Sequence, residues 1–147
     1  MTTLPELNRC DQAGFVALLH GMYEHSPWIA ARAAKQRPFA TVQALKQALQ
    51  AAVSHASADE QLALIRAHPE LAGKAAIAGE LTDESRHEQA GSGLNRCSAK
   101  EFAALQRLNA DYNAKFGFPF ILAVKGPDGN GLTRQNIIDT FARRITQ

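Results

Sequence analysis

At 147 residues with a formal charge of +2, the chain has the length of a single domain, enough to bury roughly two thirds of the surface its unfolded form exposes. Lys and Arg alternate with Asp and Glu instead of gathering on one basic face, which argues against nucleic acid as a partner, because phosphate binding is driven by clustered cations. Cys10 and Cys97 form no Cys-x-x-Cys pair, so neither a disulfide framework nor a zinc knuckle is suggested and a reducing compartment is expected.

Helical period dominates the chain. Asp11 is placed to cap a helix carrying Phe15, Leu18, Leu19 and Met22, and Ser26-Pro27 restarts it, since Pro fits a first turn. The restarted segment runs from Trp28 to Arg37. Thr41 is the next cap, followed by Val42, Leu45, Leu49 and Val53, whose spacings of three and four put them on one face of an amphipathic helix. Ser57-Ala58-Asp59-Glu60 is a capping-box pattern. It opens a helix with Leu62, Ile65 and Arg66 that should end at His68, because Pro69 disfavours helical geometry in the residue before it.

Gly73 and Gly79 bracket a short Ala-rich helical piece. Thr82 is a cap for a helix holding Ser85, Glu88 and Gln89, closed by Gly91 and Gly93. Ser98-Ala99-Lys100-Glu101 is a second capping box, and Phe102, Leu105, Leu108, Tyr112 and Phe116 follow at helical spacing until Gly117. Phe118 to Val124 is apolar, contains Pro119 and has no evident strand partner, so it reads as extended wall. Gly126-Pro127-Asp128-Gly129-Asn130-Gly131 is a turn, and Thr133 caps a last helix with Ile137, Ile138, Phe141 and Ile145. The expected architecture is all-α, a single-domain multi-helix bundle over residues 1–147.

The segment Met1 to Glu6 has no basic-then-apolar leader, no apolar run approaches the ~20 residues that cross a bilayer, and Ile145-Thr146-Gln147 is not a Ser-Lys-Leu address. A soluble, cytoplasmic protein without a membrane partner is expected.

Three short segments concentrate chemistry: His68-Pro69-Glu70-Leu71-Ala72, Ser85-Arg86-His87-Glu88-Gln89 and Phe116-Gly117-Phe118-Pro119-Phe120. A histidine at a helix end either caps the last carbonyls or presents an imidazole to a ligand. The apolar run from Leu62 to Ile65 suggests that this ring projects from a packed base. Ser85, Glu88 and Gln89 share a helix face, either as solvated surface or as a set of donors and acceptors. Gly91, Gly93 and Leu94 just after them allow close approach of another backbone. In the third segment Pro119 removes an amide, and the peptide groups from Phe120 to Ala123 lack helix partners, leaving them able to bind a planar, amide-rich ligand. Tyr112 and Phe102 are assigned to the core. No His-Glu-x-x-His, Gly-x-Ser-x-Gly or P-loop pattern occurs, so no metal site is expected.

At these residues the chain resembles the 2-oxo-4-hydroxy-4-carboxy-5-ureidoimidazoline (OHCU) decarboxylases of uric acid degradation. The likeness runs from Phe15 through His-Pro-Glu-Leu-Ala, Ser-x-x-Glu-Gln-x-x-Gly and Asn109-x-x-Tyr112-x-x-Lys115-Phe116-Gly117-Phe118-Pro119-Phe120. It implies an all-helical lyase, cofactor-free and homodimeric, that converts OHCU to (S)-allantoin and carbon dioxide. It places the catalytic histidine on His68 and the essential glutamate on Glu88. The substrate contacts fall on Pro69, Ser85, Gln89 and the stretch Phe120, Ile121, Leu122 and Ala123. Family members also carry a further helix with a substrate-binding arginine, for which residues 1–147 leave no room; Arg134, Arg143 and Arg144 do not stand in its context. The alternative is a helical small-ligand or protein-binding module without catalysis, its grooves formed by the helices at 41–54 and 98–116.

Overall fold

The computed structural model describes residues 1–72, 83, 87 and 90–147. Among them all regular structure is helical, in agreement with the all-α reading, and no helix is long and apolar enough to cross a membrane. The chain divides into two compact units, Met1–Ala67 and His68–Gln147. Each has its own apolar cluster, where the length alone suggested one core.

The first unit contains α1 (Leu4–Arg9), α2 (Gln12–Leu18), α3 (Pro27–Ala34), α4 (Val42–Ser54) and α5 (Ala58–Ala67). The sequence reading assigns no element before Asp11, yet α1 forms. Thr3-Leu4-Pro5-Glu6 is itself a capping box, with the Thr3 amide donating to the Glu6 carboxylate at 2.7 Å. Asp11 caps α2 as expected, its carboxylate accepting from the Gly14 amide at 2.7 Å. This helix stops at Leu18, short of Met22. Leu18 and Met22 are 46% and 58% exposed, so continuation past Gly21 would gain no burial to offset its entropy cost. Pro27 occupies the first turn of α3, and α3 itself ends at Ala34, before the expected Arg37.

Thr41 caps α4, accepting from the Ala44 amide at 3.1 Å. The buried stripe of α4 is Leu45, Ala48, Leu49 and Ala52, and Val42 is exposed. The expected stripe is thus rotated from the valines toward the alanines. The reason lies on α3, whose inward side is Ile29, Ala30, Ala33 and Ala34; methyl groups on both helices let their backbones approach closely, and a valine there would be too large.

Ser57 opens α5 as expected: its hydroxyl accepts from the Glu60 amide at 3.2 Å and its own amide donates to the Glu60 carboxylate at 2.9 Å. The same carboxylate accepts both terminal nitrogens of Arg32 on α3. The Arg32 guanidinium and then the Ser57 amide hold the Glu60 carboxyl down to about 2 from its ordinary 4.5. Because the folded value is depressed, the stabilisation is fully present above about 4.5 and is lost as pH falls toward about 2. Glu60→Gln is therefore expected to melt with a shallower pH dependence than the parent across that window; equal slopes would remove Glu60 from the account of acid sensitivity.

The second unit holds a short 3-10 turn (Leu94–Arg96), α6 (Ala99–Phe116) and α7 (Arg134–Ile145). Ser98 and Glu101 form the expected reciprocal box at the start of α6. Glu101 also accepts from Arg134 Nε at 3.2 Å, which ties the first turns of α6 and α7 together. Gly117 ends α6 in the left-handed region at φ +75°, its amide donating to the Asn113 carbonyl at 2.8 Å; a residue with a Cβ would be strained there. Phe118 to Val124 forms no strand; it bends at Phe118, has no regular structure from Pro119 to Ala123 and enters a turn at Val124, where the Gly126 amide donates to the Ala123 carbonyl at 2.9 Å. The glycine turn then closes on itself, with the amides of Gly131 and Leu132 donating to the carbonyls of Lys125 and Val124 at 2.8 Å each. Thr133 caps α7 by accepting from the Asn136 amide at 3.1 Å, and Ile137 and Phe141 are fully buried.

Candidate active site

α5 ends at Ala67, and the chain leaves it through His68 and the buried Pro69. The His68 ring does not cap the helix. Its Nδ1 lies 3.0 Å from the carbonyl oxygen of Pro69, beyond the helix end. A carbonyl only accepts, so Nδ1 carries the hydrogen and Nε2 is left as the basic nitrogen. Of the run expected to form a packed base, Leu64 is half-buried against the apolar cluster of the first unit, whereas Ile65 is 36% exposed.

The chain then turns inward. Leu71 and Ala72 are buried, and Ala72 adopts φ +49°. One face of α6 meets this segment residue by residue. Gln106 Nε2 donates to the Ala72 carbonyl, Asn109 Nδ2 to the Leu71 carbonyl at 3.0 Å, and Asn113 Nδ2 to the Glu70 carboxylate. Asn113 also donates to the Asn109 carbonyl at 3.0 Å.

An adjacent face of α6 builds the wall. Tyr112 is surrounded by rings: Phe116 at 4.5 Å, Phe120 at 5.4 Å, Phe141 at 5.8 Å and Phe118 at 6.1 Å between centroids. Phe120 stacks on Phe141 of α7 at 4.0 Å and 12°. Pro119 and Phe120 are buried, Leu122 is half-buried, and Ile121 and Ala123 are exposed. Among the described residues the amides of Phe120, Ile121, Leu122 and Ala123 donate to no partner, as expected from the sequence. Arg144 covers this stretch: its Nη1 donates to the Ile121 carbonyl at 2.9 Å and its guanidinium lies 5.0 Å over the Phe120 ring.

His68, Pro69 and the stretch from Phe120 to Ala123 thus belong to one unit, in which α6 bonds to residues 70–72 and meets Phe120 through Tyr112. Ser85, Glu88 and Gln89 lie outside the described residues; Asp83, before them, and His87, between Ser85 and Glu88, are helical and exposed. Two features escape the sequence reading. Arg144 stands three residues after Phe141, a spacing that puts both on one face of α7 and brings a cation to the wall. The carboxamides at 106, 109 and 113 repeat at helical spacing on a helix read for its apolar stripe, with Asn109 taken up only in the resemblance motif; that spacing is the signal that marks the set.

A family model described as OHCU decarboxylase matches residues 8–147. The chain is 42% identical over 139 residues to a 2-oxo-4-hydroxy-4-carboxy-5-ureidoimidazoline decarboxylase of Haloferax volcanii, covering 93% of this chain and 80% of that one. It is 39% identical over 145 residues to a uric acid degradation bifunctional protein of Bacillus sp. TB-90, covering 99% of this chain and 27% of that protein. Among solved structures it is similar to an (S)-allantoin synthase, with a TM-score of 0.69 and 28% identity, covering 100% of this chain and 45% of the other.

Proposed function

The chain belongs to the OHCU decarboxylase family, and from that membership we propose that His68 is its acid–base group, with the amides from Phe120 to Ala123 and the Pro69 ring holding the substrate. It is a decarboxylase of uric acid degradation acting on OHCU. In that substrate one ring carbon bears both a hydroxyl and the carboxylate, and its neighbour is doubly bonded to nitrogen. Loss of carbon dioxide leaves an electron pair that forms a carbon–carbon double bond as the nitrogen accepts the displaced pair and takes up a proton from solvent. The intermediate is enol-like. Departure of the hydroxyl proton then gives the carbonyl, and a proton added to the neighbouring carbon on one face gives (S)-allantoin. The ring's own unsaturation absorbs the electrons, so the path asks for no cofactor.

The roles follow from those steps. Nε2 of His68, left basic by the Nδ1 contact with the Pro69 carbonyl, takes the hydroxyl proton. The unpartnered amides of Phe120 to Ala123 hold the planar ring, and their fixed position restricts protonation to one face. Glu88 keeps the imidazole or the substrate in register, and Ser85 and Gln89 bind the ureido arm. The protein works in the cytoplasm as a homodimer. The observation that carries this reading is the presence, within one unit, of an anchored imidazole and of a stretch whose amides have no partner among the described residues, with α6 bonded to the Leu71 carbonyl just beyond the first and Tyr112 of α6 against Phe120 of the second.

The test supplies freshly generated OHCU and follows the circular dichroism of the allantoin formed. An excess of the (S)-enantiomer above the buffer rate is expected; racemic product at the buffer rate would overturn the reading.

A further inference from the structure

We propose that Gln106, Asn109 and Asn113 form a carboxamide ladder that positions His68, a role for three residues of α6 that touch no reacting atom. The inference rests on the reading of His68 as the acid–base group. Spacings of three and four place the ladder on one helix face, and its rungs take three successive residues in reverse order: Ala72 by Gln106, Leu71 by Asn109, Glu70 by Asn113.

The residue type fits the task. Leu71 and Ala72 are 5% and 6% exposed, and the segment has left the helix, so buried carbonyls there need a donor from elsewhere. A carboxamide supplies one without burying a charge. Asn109 shows that donation, not packing, is what the position requires. It is 3% exposed, and its Oδ1 is buried with no partner among the described residues. Leucine would fill similar space without stranding an acceptor, so the Nδ2 bond to Leu71 is what an asparagine adds.

Ala72 sets what the ladder must hold. At φ +49° it sits where a residue with a Cβ is disfavoured, and such a conformation persists only when its surroundings impose it. With Glu70, Leu71 and Ala72 fixed on α6, the adjoining Pro69 carbonyl is fixed too. That carbonyl holds Nδ1 of His68. The ladder therefore orients the imidazole through the main chain, and a displacement of about 1 Å costs a proton-transfer geometry on the order of 100-fold in rate.

The experiment compares the parent enzyme with Asn109→Leu and Gln106→Leu. The second variant, at a half-buried position, serves if the first does not fold. Both kinetics on OHCU and the long-range 1H–15N spectrum of the His68 imidazole are recorded. A fall in kcat of about 10- to 100-fold with KM changed less than threefold is expected, together with loss of the single Nδ1–H tautomer pattern. A merely structural role moves neither the tautomer nor kcat apart from KM. Folded variants with the parent kcat and an unchanged His68 pattern would overturn the ladder. Failure of the acid–base reading looks different: His68→Ala would then keep its activity, while the tautomer pattern would still report whether the ladder orients the ring.

Discussion

Replacing His68 by alanine is expected to lower kcat by about 100- to 10,000-fold, the range that removal of a general acid–base group produces. The fold should be little affected, because the ring is half-buried and its recorded bond is local, to the carbonyl of the next residue. Alanine removes two things at once, the anchor and the basic nitrogen. His68→Asn separates them: its side-chain NH2 still has a donor for the Pro69 carbonyl, yet no basic nitrogen remains. Both variants should therefore be slow to a similar degree while melting near the parent temperature. The measurement is the initial rate of (S)-allantoin formation. If His68→Asn turns over within threefold of the parent, proton transfer by the imidazole is not part of the mechanism.

Phe120→Ala carries the largest expected loss of stability. The ring is fully buried, stacks on Phe141 at 4.0 Å, meets Tyr112 at 5.4 Å and is covered by the Arg144 guanidinium at 5.0 Å. Truncating a phenylalanine in such surroundings costs about 3–5 kcal/mol. At this chain length that lowers the melting temperature by roughly 10 °C. Function should suffer beyond stability, since the amides from Phe120 to Ala123 depend on the ring for their register. A thermal scan and a kinetic run on the same preparation check both. Phe118→Ala, at a half-buried ring, is the comparison and should cost less; equal losses would mean that Phe120 is not the keystone of the wall.

How far the sequence could be read depended on the distance over which each signal acts. Caps and stops lie within four residues of the group they satisfy, and so Asp11, Thr41, Ser57, Ser98, Thr133 and Gly117 were all legible from spacing. Burial is decided by whatever packs opposite. Alanines on α3 pulled the buried stripe of α4 onto Ala48 and Ala52, and nothing local to Val42 announces that it faces water. The candidate site shows the same division. The chemistry of His68 and the free amides after Pro119 were visible as residue types. Their supports were not, because Gln106 reaches back 34 residues to Ala72 and Arg144 reaches 23 residues to Ile121.

The ladder on α6 grips Leu71 and Ala72 by their carbonyl oxygens, and this has a consequence for how such chains can diverge. Because the grip is on main-chain atoms, it does not depend on which side chains stand at those two positions, whereas the phase of the helix is unforgiving. One residue gained or lost between Gln106 and Asn113 would swing the remaining rungs by about 100° around the helix axis. Between the rungs side chains can drift, but length cannot; single-codon insertions there should be purged even where the new residue is an excellent helix former.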